Sequence, residues 1–321
     1  MSFSGEVKQE LKQTMDRARH CRIAEITAII TLCGGVAISS SERMRIRIRT
    51  ENPYVAGKFC TLVSGTFQAH CEVQVSRRRR SGRETAPTYL AVTSAQDSER
   101  ILQACRLMDA DGRLRESESL VDETIVQQRC CRRAFLRGAF LSAGSVSDPA
   151  HYYHYEITCT QAAWAGDLMK LMETFEMTPR MTMRKDRYVI YLKEGSQIAD
   201  MLRIMEAPSS LMKFENIRIL RDISNHVNRA VNCETANLTK TIDASVRQVE
   251  DIQYLLDHGY LQHLSAGLQQ TARLRLEYPD LPLAQLAALH DPPVGKSGVN
   301  HRLNKLGELA GRYREEAPGA V

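Results

Sequence analysis

Two stretches of sequence decide the fold: residues 26–34 read I-T-A-I-I-T-L-C-G, and residues 136–144 read L-R-G-A-F-L-S-A-G. Each is an apolar run that ends in a glycine, which is typical of the end of a helix. We therefore expect two apolar helices that stop sharply at Gly34 and Gly144.

The residues after each helix predict the same order of elements. After the first, Met44, Ile46 and Ile48 alternate with arginines, which predicts a strand with the arginines on its other face. Asn52 and Pro53 then begin a helix. This helix runs to about residue 67. Further strands are predicted at 72–76, 89–93, 153–158, 180–184 and 187–193. Further helices are predicted near 97–107 and at 161–175 and 197–205.

The order α-β-β-α-β-β-α thus occurs twice, in passes of roughly 90 residues, which indicates an internal duplication. Beyond about residue 215 the pattern is helical throughout, and we expect Gly259 to end the first long helix there. The sequence predicts an α+β fold: a pseudo-symmetric duplicated body followed by an all-α domain. The expected boundaries are a polar helical lead-in at 1–19, with its helix at 5–19, a first half at 20–122, a second half at 123–217, and a helical domain at 218–321.

The last two predicted helices, at 283–290 and from 297 to about 314, indicate a helix-turn-helix. The final helix has an apolar stripe at Val299, Leu303, Leu306 and Ala310, with Ser297 as its expected N-cap. Its other face is polar, and such side chains can contact base edges and phosphates in the major groove. The candidate DNA-binding residues are Lys296, Ser297, Asn300, His301, Arg302, Asn304 and Lys305. A merely solvated helix face fits the same pattern.

Composition narrows the function without deciding it. The chain has 321 residues, 43% of them hydrophobic and 25% charged, which excludes disorder of the whole chain, and the net charge of +5 permits a polyanionic partner. Long apolar runs, a signal peptide and nucleotide-binding loops are all missing, so we expect a cytoplasmic protein without a membrane segment or cofactor. None of the nine cysteines has C-x-x-C spacing, which favours free thiols over a zinc site.

The paired helices resemble the motif of LAGLIDADG homing endonucleases. In that family two such helices pack side by side, and an acidic residue at the eighth motif position of each holds Mg²⁺. Here the eighth positions are Cys33 and Ala143, and hard cations require oxygen ligands. The small residues for close packing are present at Ala28 and Gly138. The resemblance therefore implies the nuclease fold without its catalytic metal ligands.

Residues 107–112, L-M-D-A-D-G, match the acidic end of the motif more literally. No set of strands and helices fits between this stretch and residue 143. We expect a polar turn that joins the two halves, with a metal site as the weaker alternative.

Longer stretches resemble the WhiA family: residues 228–240, 291–303 and 137–145 carry the resemblance, which extends over about residues 5–315. It implies a DNA-binding transcription regulator of sporulation and cell division, with a degenerate LAGLIDADG body and a helix-turn-helix that contacts DNA. The expected partner is promoter DNA in the nucleoid, with RNA polymerase or its sigma factor as a further candidate. The alternatives are a protein-interaction factor with weak DNA binding and, least favoured, an active endonuclease.

Two basic or polar segments each allow two interpretations. The arginines of the first strand, Arg45, Arg47 and Arg49, and those of the next loop, Arg78, Arg79 and Arg80, fit phosphate contacts or a solvated face equally well. Residues 225–240 fit a capped joint between domains, with Thr235 and Asn237 at helix starts, better than a partner surface.

Overall fold

The computed structural model describes residues 2–38, 44–77, 79–80, 83–84, 87–115 and 119–316, with the side chains of 79–80 and 83–84 left aside. The chain divides into an N-terminal unit, Met1–Asp222, and a C-terminal unit, Ile223–Val321. Among the helices of these described ranges, none combines the length and apolarity that a bilayer crossing requires.

The N-terminal unit contains the predicted duplication. Its first half comprises α1 (Phe3–Gln13), α2 (Arg19–Cys33), β1 (Gly34–Ile38), β2 (Met44–Thr50), α3 (Pro53–Phe67), β3 (Cys71–Ser76), β4 (Arg79–Arg80), β5 (Arg83–Glu84), β6 (Thr88–Thr93) and α4 (Ala95–Ala104). Its second half comprises α5 (Arg129–Ala143), β7 (Gly144–Val146), β8 (Tyr155–Cys159), α6 (Ala162–Glu173), β9 (Arg180–Arg184), β10 (Arg187–Leu192) and α7 (Gly195–Ile204).

Each half contributes one four-stranded antiparallel sheet, with the equivalent orders β1-β2-β6-β3 and β7-β8-β10-β9. The α+β class and the duplicated body are therefore confirmed. Strands β1 and β7, which sequence analysis did not locate, begin at the glycines that end the two apolar helices. Gly34 and Gly144 thus end a helix and begin a strand.

Local sequence explains the strand that carries the arginines. In β2, Ile46 and Ile48 are fully buried, whereas Arg45, Arg47 and Arg49 are exposed, as the alternation predicted. Helix α3 follows at once, because the Asn52 side chain accepts a hydrogen bond from the Tyr54 amide at 2.9 Å and Pro53 occupies the first turn.

The N-terminal helix differs from its prediction. Helix α1 ends at Gln13, so the predicted helix at 5–19 begins and ends too late. It is also part of the core, since Phe3, Val7 and Leu11 are buried. The spacing of these three residues gives one apolar face, which a count of polar residues hides.

Helices α2 and α5 pack against each other through small residues. A Cβ atom on Gly138 would lie 2.6 Å from the Glu25 carbonyl oxygen and 2.9 Å from the Ala28 Cβ atom. Only glycine fits at this contact without movement of the backbone. Gly138 therefore sets how closely the two halves approach.

A buried ionic network lies beside this contact. The Arg137 guanidinium donates to both carboxylate oxygens of Glu25, at 3.1 and 2.9 Å, and to Glu206 at 3.0 Å, and it also contacts Asp16. Lys58 pairs with Glu25 at 3.2 Å. Burial lowers the pKa of Lys58, although Glu25 opposes this shift. Burial alone would also lower the pKa of Arg137, but Glu25 and Asp16 raise it on balance, so the guanidinium stays charged.

The cysteines of the N-terminal unit are not all free. Cys60 of α3 and Cys71 of β3 form a disulfide, which corrects the expectation of nine free thiols. The free cysteines among the described residues are Cys21, Cys33, Cys105, Cys130, Cys131, Cys159 and Cys233. The two partners lie 11 positions apart, a spacing that indicates no pairing without the fold.

The C-terminal unit is helical, as expected. It contains most of α8 (Pro208–Asp257), a 3₁₀ turn at Leu261–His263, α9 (Ala266–Glu277), α10 (Leu283–Ala288) and α11 (Lys296–Glu316). Gly259 adopts a left-handed φ of 74° after α8, which fits its predicted role as a helix stop.

Two helix starts in this unit were predicted wrongly. Thr235 and Asn237 lie inside the continuous helix α8, so the capped joint is absent there. Ser297 lies in the first turn of α11 and is not its cap, because the Val299 amide already bonds to the Gly295 carbonyl at 3.1 Å. Polar residues that cap helices in other contexts misled both predictions.

The contact at Gly138 generates a stability prediction. We expect Gly138→Ala to lower the free energy of unfolding by about 1–3 kcal/mol, because the added methyl group meets backbone that cannot move freely. Gly166→Ala in α6 is the matched control: a Cβ atom there meets nothing within 4 Å, so helix propensity should raise stability by about 0.5–1 kcal/mol. Denaturant unfolding of both variants measures the difference, and equal effects would contradict the packing argument.

Candidate nucleic-acid interface

Helices α10 and α11 form the predicted helix-turn-helix. Leu286 and Ala287 of α10 are buried together with Val299, Leu303 and Leu306 of α11. The connection is held by the Val294 amide, which donates to the Ala287 carbonyl at 3.3 Å. The predicted apolar stripe of α11 thus packs inward and leaves the opposite face to solvent.

Buried polar contacts hold the first helix in place. His290, directly after α10, bonds to the Thr271 hydroxyl through Nε2 and to the Leu286 carbonyl through Nδ1, both at 2.9 Å. Arg275 of α9 donates to the carbonyls of Pro279 and Leu281, at 3.1 and 2.9 Å. Burial lowers the pKa of Arg275. These contacts fix the chain on both sides of α10, so α11 is presented on a rigid support.

Most of the predicted DNA-binding residues share the open face of α11. The exposed ones are Lys296, Ser297, Asn300, His301, Asn304 and Lys305. Lys305 pairs with Glu308 at 3.0 Å on this surface. Arg302 differs: it is half-buried, and its guanidinium donates to the Gly267 carbonyl of α9 at 3.4 Å. Arg302 therefore lies at the border between this face and the core.

The N-terminal unit has a second basic surface. The side chains of Arg45, Arg47 and Arg49 point to the exposed face of the first sheet. Arg78 lies outside the described residues, and of Arg79 and Arg80 only the backbone is described, as the short strand β4. The arginine-rich loop thus remains a prediction.

The second sheet carries arginines that sequence analysis did not select. Arg180, Arg184 and Arg187 are exposed, and the register pairs Arg184 with Arg187 directly across β9 and β10. Side chains of directly opposed residues lie on the same face of a sheet. Arg180 pairs with Tyr191, four positions along in each strand, and an even number of positions keeps it on that face. The duplication does not point to them, because the equivalent of β2 is β8, which carries no arginine. The signal that could have found them is the polar alternation of Arg180, Thr182 and Arg184 within a predicted strand.

The ends of α2 and α5 meet at a cavity of about 410 Å³. Cys33 and Ala143, the eighth motif positions, both line it, so the structure brings together the two residues that the motif aligns. One arginine from each half also lines it, Arg49 and Arg187. Among the described residues, its lining contains no carboxylate, and the two guanidinium groups make it a poor place for a divalent cation.

Burial shifts the pKa of two titratable groups near this cavity. Burial raises the pKa of the Cys33 thiol to about 11, against the opposing effects of Ser142 and Lys8. Burial lowers the pKa of Lys8 to about 8. Near neutral pH, Cys33 is therefore a neutral thiol.

The acidic stretch at 107–112 forms a turn. The Asp109 carboxylate accepts hydrogen bonds from the amides of Asp111 and Arg113, at 3.0 and 2.8 Å, and Gly112 has a φ of 80°. The predicted polar turn is confirmed, and the carboxylate that resembled a metal ligand closes the turn.

Comparison with known proteins identifies the relatives of each part. Family models match residues 19–108 as "WhiA N-terminal LAGLIDADG-like domain", residues 132–224 as "WhiA LAGLIDADG-like domain" and residues 227–310 as "WhiA C-terminal HTH domain". The "Probable cell division protein WhiA" of Lachnoclostridium phytofermentans is 44% identical over 98% of this chain and 100% of its own length. That of Alkaliphilus oremlandii is 42% identical over 98% of both chains.

A solved structure has the same fold. The crystal structure of full-length DUF199/WhiA from Thermatoga maritima superposes with a TM-score of 0.57 and covers 97% of this chain and 99% of its own. The two sequences are 20% identical, so this likeness concerns the fold alone.

The raised pKa of Cys33 generates a chemical prediction. Because only the thiolate reacts with iodoacetamide, we expect Cys33 to be alkylated very slowly at pH 7, with a rate that rises about tenfold per pH unit until the pH nears its pKa. Peptide mass mapping after a timed pulse measures this rate, with the exposed Cys233 as internal control. Fast alkylation of Cys33 at pH 7 would show that its environment stabilises the thiolate.

Proposed function

Because the chain belongs to the WhiA family, we propose that it is a transcription regulator that binds promoter DNA through its helix-turn-helix and does not cleave it. The observation that carries this proposal is the open polar face of α11 on a rigid support. Sporulation and cell division are the processes we propose it to regulate, since its curated relatives are named as cell division proteins. We place it in the cytoplasm, at the nucleoid.

Residues in the first two turns of α11 take different roles in this proposal. Asn300 and His301 are exposed close to the helix N-terminus, where a recognition helix contacts base edges. Lys296, Ser297 and Lys305 contact phosphates, and Asn304 extends the base-contacting row by one turn. Arg302 supports α9 with one hydrogen bond and keeps other guanidinium donors for a phosphate.

The N-terminal unit adds affinity without sequence information. Arg45, Arg47 and Arg49 of one sheet and Arg180, Arg184 and Arg187 of the other contact phosphates, because exposed guanidinium groups on a sheet face suit the DNA backbone. From the sequence alone, Arg78, Arg79 and Arg80 are further candidates for phosphate contacts. Cleavage is disfavoured because the cavity at Cys33 and Ala143 has arginines and no carboxylates in its lining.

A second candidate function rests on an apolar groove in the C-terminal unit. The groove has a volume of about 650 Å³ and is lined by α8 residues such as Leu238, Ile242 and Val246, which are more than half exposed, and by Leu281 and Leu283. Exposed apolar surface of this kind suits a protein partner. RNA polymerase or its sigma factor is the partner class we propose, with DNA binding then secondary.

The role of Asn300 is testable by selection of bound sequences. We expect Asn300→Ala to weaken binding by about 1–3 kcal/mol at one base position of the selected site and to leave other positions unchanged. Fluorescence anisotropy with the selected duplex and single-base variants measures this, with the exposed Gln127→Ala as control. A uniform loss across all duplexes would assign Asn300 to the backbone, and full-strength binding would favour the protein-interaction function.

The role of the sheet arginines is testable by salt dependence. We expect Arg45, Arg47 and Arg49 replaced together by alanine to lower the slope of log K against log salt by about 2–3, because each lost phosphate contact removes roughly 0.9. Arg203→Ala, an exposed arginine of α7 paired with Asp200, is the control for loss of positive charge. An unchanged slope in the triple variant would remove the N-terminal unit from the interface.

A further inference from the structure

Four candidate metal ligands meet where α2 and α5 begin. They are His20 and Cys21 of α2 and Cys130 and Cys131 of α5. Helix α2 begins Arg19-His20-Cys21, and α5 begins Arg129-Cys130-Cys131. The same two positions of both duplicated helices therefore carry the ligands, and the close contact at Gly138 holds the two helices together beside them.

The distances suit one tetrahedral ion. The His20 Nδ1 atom lies 3.1 Å from the Cys131 Sγ atom and 3.4 Å from the Cys21 Sγ atom. All four ligand atoms lie within 4.8 Å of one another. Tetrahedral Zn²⁺ with bonds of about 2.3 Å to sulfur and about 2.0 Å to nitrogen separates its ligands by roughly 3.5–3.8 Å. Small rotations of the side chains reach that geometry.

Burial and the helix ends add to this fit. Cys21 and Cys131 are buried, whereas His20 and Cys130 are exposed, so an ion can enter from solvent and be held from inside. Neither Ala18 nor Gln128 caps its helix with a side-chain hydrogen bond. The amides of both first turns therefore have no side-chain acceptor there. Burial raises the pKa of Cys21 and of Cys131, so an ion has to displace their thiol protons when it binds.

We propose that His20, Cys21, Cys130 and Cys131 bind one Zn²⁺ ion that links the two halves of the N-terminal unit. Three thiolates and an imidazole form a closed Cys₃His set, which is typical of a structural zinc site and leaves no position for substrate. The site is separate from the cavity at Cys33 and Ala143, because fifteen-residue helices place their two ends about 22 Å apart. It does not depend on DNA binding.

Sequence analysis disfavoured zinc because it tested for ligands spaced along a single segment. Here the ligands form two adjacent pairs that lie 110 positions apart, and only the packing of α2 against α5 brings them together. The helix starts at equivalent positions of a duplication are the signal that points to them.

Cobalt binding to the full chain tests the site. After demetallation under a phosphine reductant, we expect one Co²⁺ per chain, with thiolate-to-cobalt charge-transfer bands and intense tetrahedral d–d bands that Zn²⁺ abolishes. Cys130→Ser and His20→Gln change exposed side chains and should each weaken Co²⁺ binding at least about tenfold. Cys233→Ser, an exposed cysteine elsewhere, should leave the titration unchanged.

Thermal unfolding provides a second readout. We expect Zn²⁺ to raise the Tm of the wild-type chain and of Cys233→Ser, and to raise it much less in Cys130→Ser, because only binding to the folded state stabilises it. Circular dichroism confirms that each variant folds. The proposal is overturned if the cobalt bands are absent, or if they persist unchanged in both ligand variants. Peptide mapping that finds Cys130 in a disulfide with Cys21 in chains that bind no cobalt would also overturn it.

Discussion

The contact between α2 and α5 is the constraint on which the N-terminal unit depends. Gly138 approaches the Glu25 carbonyl oxygen so closely that no side chain fits between the helices. Because the two helices begin and end at equivalent positions, this one contact aligns both of their ends. The C-terminal ends meet at the cavity of Cys33 and Ala143, and the N-terminal ends meet at the histidine–cysteine cluster. Each strand pair that follows a helix then extends into its own sheet.

The buried ionic network adds selectivity to this contact. Arg137 reaches both oxygens of Glu25 only when these two residues lie opposite each other, so this bidentate contact favours the observed register of α2 against α5. The carboxylates of Glu25, Asp16 and Glu206 are balanced by three cations, Arg137, Lys58 and Arg133. A buried ion pair contributes little net stability, yet the loss of one partner lowers the free energy of unfolding strongly, because it leaves the other charge buried and unpaired. Such a network therefore penalises wrong pairings of the two halves more than it stabilises the correct one.

Local patterns predicted the elements well, and long-range proximity poorly. The alternation at 44–49, the cap at Asn52 and the glycine at 259 each depend on neighbours within a few positions, and all three are as predicted. The apolar face of α1 and the disulfide of Cys60 and Cys71 were missed, because each depends on what packs there. The break in α8 was predicted from polar residues that cap helices elsewhere, but here they lie in an exposed, continuous helix. In the candidate interface, the open face of α11 follows from periodicity, but the half-buried position of Arg302 depends on α9. The arginines of the second sheet were missed because they lie on β9 and β10, whereas the strand equivalent to β2 is β8, which has no arginine.

Phosphate binding by the exposed arginines of the two sheets and DNA cleavage at the cavity between the helix ends would place different demands on the residues present. Phosphate binding needs only positive charge on an accessible face, which tolerates change at any single position. Cleavage needs two carboxylates placed to share metal ions, and one substitution removes it. A duplicated body without carboxylates at positions 33 and 143 can therefore still present Arg49 and Arg187 beside them. In the function we propose, the sheet arginines therefore supply affinity alone, and base recognition falls to a separate helix, α11, whose side chains can change without any effect on the body.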